Sequence, residues 1–181
     1  MTKLKVFLKI FLMGAILFGF PVGLFFSLAY NFPLNLVAGM FSGIGFGLAV
    51  AFISAPKQLD IDGEEIPVTH TEQVELDLPY EKAFEKCLES VHLMEKVNKV
   101  KENKNEAIIK ADINFSHLMA GDVVTIKLHK ESLHKTLVTI KSRPWLPITV
   151  ADGGRNYSNA HKIASGLKSS HPTVDKVLYG L

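Results

Sequence analysis

Over the first third of the chain, apolar residues follow one another with no polar face, whereas from Gln73 onward they recur with the periods of strands and helices. No charged residue occurs between Ile10 and Pro56, a run of 47 positions. A bilayer core takes about 20 apolar residues per helical crossing, so this run predicts two crossings. They fall near residues 6–30 and 34–54, on either side of the turn sequence YNFPLN at Tyr30–Asn35, where two asparagines and a proline mark a reversal. Twelve of the residues from Ile10 to Tyr30 are Leu, Ile, Phe or Val. At about −0.3 to −0.6 kcal/mol each, they make insertion strongly favourable.

Beyond an acidic, turn-rich linker at 57–71, the periods change. Gln73–Leu78 alternates polar and apolar positions and predicts a strand, closed by Pro79. Tyr80–Glu95 then places Ala83, Phe84, Cys87, Leu88, Val91 and Met94 at helical spacing, with Glu81, Lys82, Glu85, Lys86 and Glu89 on the wet side. Four further strands are predicted at 96–102, 107–114, 122–130 and 136–143, joined by the polar turns KENKNE and KESLHK where hairpins close. A last helix is predicted from Asn156–Asn159 to about Lys168, burying Ala160, Ile163, Ala164 and Leu167, with Asn156 or Ser158 as its cap. The fold class is therefore α+β. A two-helix transmembrane hairpin at 1–56 precedes a domain at 72–169, in which two helices cover one face of a small antiparallel sheet, and a tail occupies 170–181.

Charge adds an orientation. Lys3, Lys5 and Lys9 precede the first span and Lys57 follows the second, with no lysine in the connecting turn. By the positive-inside rule both termini, and with them the domain, face the cytoplasm from an inner or plasma membrane. A cleaved signal sequence would have an apolar core of roughly 7–15 residues, much shorter than this run. The remainder of the chain, with 17 basic and 18 acidic side chains, has no surplus of positive charge for phosphates, so no nucleic-acid partner is expected. The lone Cys87 excludes an intrachain disulfide and reads as core filler. The sequons at Asn114 and Asn156 are chance on a cytoplasmic domain.

Small residues are patterned inside the spans. Gly19 and Gly23 in the first, and Gly39, Gly43 and Gly47 in the second, recur every fourth residue, which lets helix backbones approach closely, either within the chain or between copies. Pro21 removes one donor from the first span. Neither span contains an acid, histidine or arginine, so a proton or ion path has no residues to use.

The candidate chemistry lies in SRPWLPITVADGGRNYSNAHKI, residues 142–163. Arg143 and Arg155 could together hold an anion, Trp145 could wall a pocket, Asp152 could act as a base, and Asn156 adds an amide. The structural alternative accounts for the same residues. Pro144 and Pro147 end a strand, Gly153 and Gly154 supply positive φ, Asp152 pairs with an arginine or bonds turn amides, and Asn156 or Asn159 caps the helix. DGGRN lacks the spacing and lysine of a phosphate loop. DIDGEE lacks the spacing of a calcium loop, and the seven histidines fall into no zinc-binding set, so neither a metal nor another cofactor is implied.

Two resemblances cover residues 72–168. VELDLPYEKAFEKCLESV resembles the first strand and helix of START-like, Bet v 1-type ligand-binding domains. IKSRPWLPITVADGGRNYSNAHKIASGL is similar to the close of a bacterial family of unknown function that ends in an Arg- and Ser-rich strand end, an Asp-Gly pair, an asparagine and a helix. The chain lacks the long last helix and full strand count of the START-like fold. The resemblance implies a fold and, for the first family, a small apolar or lipid-like ligand. Three classes of function follow. The first is a membrane-anchored, non-enzymatic interaction or tethering module, with a protein partner or self-association through the glycine faces. The second is a binder of a lipid-like ligand at the membrane surface. The third is a hydrolase using Asp152 with Arg143 and Arg155. The chain shows no coherent set of acid, base and nucleophile, which places the enzyme last.

Overall fold

A computed structural model describes residues 2–30, 36–113 and 121–169. The reversal at 31–35, Asn114, His117 and the tail at 170–181 lie outside the described residues. By its internal contacts the chain divides into two compact units. One comprises Met1–Val68 with Ile148–Arg155, and the other comprises Thr69–Pro147 with the chain from Asn156 onward.

The first unit is built on two helices, α1 (Thr2–Tyr30), which runs through Pro21, and α2 (Leu36–Ser54). Both are long and apolar enough to cross a membrane. Glycine sets their separation. A Cβ placed on Gly19 would lie 2.7 Å from the Gly39 carbonyl oxygen, and one on Gly43 would lie 2.5 Å from that of Ala15. Gly14, Gly23 and Gly47 meet backbone across the same seam. With small residues turned inward, the large ones are left outside. Phe20, Phe25, Phe41 and Phe52 are 64–76% exposed, and Leu12, Ile16 and Met40 are exposed as well. At one end Val6, Ile10, Ala51 and Ala55 are buried, with Leu59 and Ala151 packed against them. A 3₁₀ turn (Pro56–Gln58) leaves α2 there.

The second unit is an antiparallel sheet of five strands, in spatial order β1-β5-β4-β3-β2. The strands are β1 (His70–Leu76), β2 (Val97–Asn103), β3 (Ile108–Ile113), β4 (Asp122–Lys130) and β5 (Thr136–Pro144). Register follows the apolar alternation, because a slip of one residue would turn each strand's apolar set outward. Val74 faces Val138, Ile126 faces Ile140, and Ile109 faces Ile126 across neighbouring strands. This inner face packs against Ala83, Phe84, Cys87 and Val91 of α3 (Tyr80–His92) and Ala160, Ile163, Ala164 and Leu167 of α4 (Arg155–Ser169).

Element ends differ from the alternation and helical spacing in physically readable ways. β1 begins at His70 because Thr71 and Glu72 pair with Lys141 and Ile140, although neither extends an apolar stripe. α3 ends at His92 rather than Glu95. The Met94 amide bonds back three residues to the Val91 carbonyl at 3.1 Å, and Lys96, at φ 63°, turns the chain into β2. α4 begins at Arg155, so Asn156, expected as a cap, stands inside the first turn. Its side chain is withdrawn into the body of the second unit, where it has stronger partners than a helix-end amide.

Candidate functional site

Gln58 organises the foot of the hairpin. It has no solvent exposure, and its amide bridges two loops far apart in sequence. Its Oε1 accepts the backbone amides of Asp152 at 2.9 Å and Gly153 at 3.0 Å, and its Nε2 donates to the Ile66 carbonyl. The Ile66 amide returns a bond of 2.9 Å to the Gln58 carbonyl. A buried primary amide offers two donors and an acceptor oxygen with two lone pairs, so one side chain serves three backbone groups that would otherwise be costly to enclose.

The loop held by Gln58 contains two of the residues chosen from the sequence. Asp152 is buried, and its Oδ1 accepts the Gly154 amide at 3.0 Å. Its carbonyl accepts Arg155 Nε at 3.0 Å. Gly153 and Gly154 have φ of 64° and 75°, the left-handed region that side chains disfavour. Asp152 and Arg155 therefore meet within a folded turn, with the carboxylate engaged by the backbone.

The other three residues belong to the second unit. Arg143 is exposed at the end of β5, where its guanidinium donates to the neighbouring Pro144 carbonyl at 3.2 Å. Trp145 is 62% exposed, and its backbone amide donates to the Gly121 carbonyl at 2.9 Å. Asn156 is fully buried. Its Oδ1 accepts the Ser142 hydroxyl at 2.6 Å, and its Nδ2 donates to Asp122 Oδ1 at 3.2 Å, while Asn159 Nδ2 reaches Asp122 Oδ2 at 3.3 Å. This polar chain joins β4, β5 and α4 inside an otherwise apolar layer.

Gln58, Asp122, Ser142 and Asn159 were missed by reading the sequence for chemistry. Asp122 and Ser142 did leave a signal. Each occupies an inward position of a period-two strand, in line with Val124 and Ile126 or with Val138 and Ile140, where a polar side chain needs a buried partner. Gln58, in a polar linker, left none. A further cluster joins β1 to α4 at the surface. Glu72 Oε1 lies 3.2 Å from His161 Nδ1 and 3.5 Å from His70 Nε2, and Tyr157 packs between the two imidazoles.

The outer face of the sheet is basic. Lys101, Lys110 and Lys141 are in register across β2, β3 and β5, and Lys99, Lys127 and Arg143 share their face. All six are exposed, while Glu75 on that face is paired with Lys135 at 2.6 Å. Asp112, opposite Lys99 across β2 and β3, is the second acid on that face, so six cations stand there against two acids although the total charge is near neutral. Cys87, on the opposite side, is fully buried, and desolvation pushes its thiol up to about 12, the opposite of an activated nucleophile.

No protein-family model matches the chain, and no curated protein matches it. Among solved structures it is similar to the di-domain ARO/CYC protein BexL of the BE-7585A biosynthetic pathway. The identity is 10% and the TM-score 0.41 over 56% of this chain, which spans 45% of BexL. It is also similar to a protein from Thermus thermophilus, at 11% identity and a TM-score of 0.32, over 56% of this chain and 94% of that one. Likeness of this degree carries no functional argument.

Proposed function

We propose that this chain is a membrane-anchored, non-enzymatic docking protein. Its hairpin lies in an inner or plasma membrane with both termini cytoplasmic, and the basic sheet face of its α+β body engages an acidic protein surface. The observation that carries the reading is the inverted packing of the hairpin, with glycines at the seam and phenylalanines outside. Water would penalise such a surface, whereas lipid solvates it. From Ile10 to Tyr30 α1 is about 30 Å long, the thickness of a hydrocarbon core. Just before that stretch Lys9 pairs with Glu65 at 2.6 Å, an ion pair suited to the headgroup region.

Docking through a surface is favoured over an internal ligand by the close apolar contact between sheet and helices among the described residues. Val91, Ile109, Ile126, Ile140, Ala160 and Leu167 have no solvent-accessible surface between sheet and helices. The buried, backbone-bonded Asp152 argues against a hydrolase. The seam glycines meet backbone of the same chain, which favours intrachain packing over self-association through those faces.

Anchoring is tested by alkaline carbonate extraction and by protease added to intact spheroplasts. The protein is expected to stay in the membrane pellet with its body protected. Docking is tested by site-specific photocrosslinking in cells from the Lys127 position. Lys110→Glu with Lys141→Glu is expected to abolish the protein adduct while leaving the melting temperature unchanged. Adducts that survive the reversal, or that consist of RNA, would reject an acidic protein partner.

A further inference from the structure

Beside the foot of the hairpin, within the first unit, lies an open groove of about 380 Å³. Phe7 of α1, Phe52 and Ala55 of α2, and Leu59 and Ile61 beyond them form apolar walls. Phe52 is 70% exposed, so the wall continues into the apolar outside of the hairpin. The lining includes one cation, Lys3, and one anion, Asp60.

Both charges are placed by an ordered turn. The Asp60 amide donates to the Glu64 carbonyl at 3.0 Å, the Glu64 amide donates to Asp60 Oδ1 at 2.8 Å, and Leu59 bridges Glu65. Gly63, at φ 80°, brings this turn against the Lys3 stem, and a Cβ there would lie 3.2 Å from Lys3 Cε. Lys9 is neutralised by Glu65, but among the described residues Lys3 has no ion-pair partner. Ile61, fully exposed at the lip, presents an apolar side chain between Asp60 and Asp62.

We propose that this groove holds one phospholipid of the phosphatidylethanolamine class, an inference that rests on the hairpin lying in a bilayer. The Lys3 ammonium meets the lipid phosphate, the Asp60 carboxylate accepts hydrogen bonds from the primary ammonium of the headgroup, and the upper acyl chain lies along Phe7 and Phe52. Opposite charges in the lining of an apolar groove match a zwitterion whose tails are apolar. An anionic headgroup would face Asp60 with no cation of its own to offer it. A choline headgroup has no N–H to donate to Asp60.

The test is native mass spectrometry of the full chain in detergent, incubated with equal amounts of chain-matched phosphatidylethanolamine, phosphatidylcholine and phosphatidylglycerol. One phosphatidylethanolamine per chain is expected, preferred by about tenfold over phosphatidylcholine, the discrimination of one charge-assisted hydrogen bond. Asp60→Asn keeps an oxygen for the Glu64 amide, so the turn is retained. It is expected to erase that preference, and Lys3→Gln to weaken retention of both zwitterionic lipids. Equal retention of the three lipids, preference for phosphatidylglycerol, or an unchanged preference in Asp60→Asn would overturn the proposal. Carbonate extraction separates the two readings. A chain that remains in membranes but shows no preference rejects the groove alone, whereas release from membranes rejects both.

Discussion

The side-chain oxygen of Gln58 accepts the backbone amide of Asp152 at 2.9 Å, across 94 positions of sequence. That bond draws the 148–155 loop to the end of α2, while Ile66 is held by the other end of the same amide. Gln58→Ala would leave the Asp152 and Gly153 amides and the Ile66 carbonyl without this partner. At roughly 1–3 kcal/mol for each enclosed group left unsatisfied, the foot should lose about 2–4 kcal/mol after partial solvation. Hydrogen exchange should quicken at Asp152 and Gly153 while Val124 and Ile126 in β4 keep their protection. Unaltered protection at both loop amides would show that Gln58 does not hold the loop.

Seam glycines should differ sharply from the others. A Cβ on Gly43 meets the Ala15 carbonyl at 2.5 Å and the Gly19 Cα at 3.0 Å, and these backbone atoms cannot step aside without parting the helices. Gly45, two residues on, has nothing within 4 Å. Gly43→Ala should cost about 1–3 kcal/mol, as overpacking does, and Gly45→Ala should be neutral or slightly stabilising. Unfolding of the full chain by SDS in mixed micelles measures both, and equal midpoints would contradict the seam.

Asn156 tests the polar chain in the sheet body. Asn156→Ala removes the acceptor of the Ser142 hydroxyl and one donor to the buried Asp122, and should cost about 2–4 kcal/mol. Asn156→Asp should cost as much at neutral pH, because it sets a second carboxylate beside Asp122. Acidification should restore part of that loss as one of the pair takes up a proton. Denaturant midpoints at pH 7 and pH 5 decide this, and a pH-independent defect in Asn156→Asp would rule out carboxylate repulsion.

Cys87 gives a prediction with a defined sign. Burial raises its thiol from 9.0 to about 12, so the unfolded chain releases this proton at a lower pH than the folded chain does. The thiol's contribution is complete below pH 9 and is lost as the pH rises from there through the folded value. Wild-type protein should lose stability over that alkaline range more steeply than Cys87→Ala. At pH 8 the native thiol should resist iodoacetamide until denaturant is added. Prompt alkylation of folded protein would mean that the thiol is neither buried nor suppressed.

Much of the architecture was legible because it rests on repetition. The strand at Asp122–Lys130 and the helix starting at Tyr80 appear where the alternation and the helical stripe place them, since each apolar position independently favours the same face. Less of the candidate site was legible. Arg143 and Trp145 are unusual residue types in a short run and attract notice, and both are exposed on the second unit, Arg143 on the basic face; Gln58 attracts no notice and holds three backbone groups.

The sequence by itself determined the two apolar helices, the α+β order and the inward faces, because each of these sums many small hydrophobic preferences along one element. Only the tertiary structure decided that residues 148–155 join the hairpin's unit, that Asp152 is enclosed, and that Asn156 serves Asp122 and Ser142. It also decided that lysines from separate strands share one face. These outcomes depend on single hydrogen bonds and on strand register between distant segments. Such contacts produce no period in the chain and exist only once the chain has closed on itself.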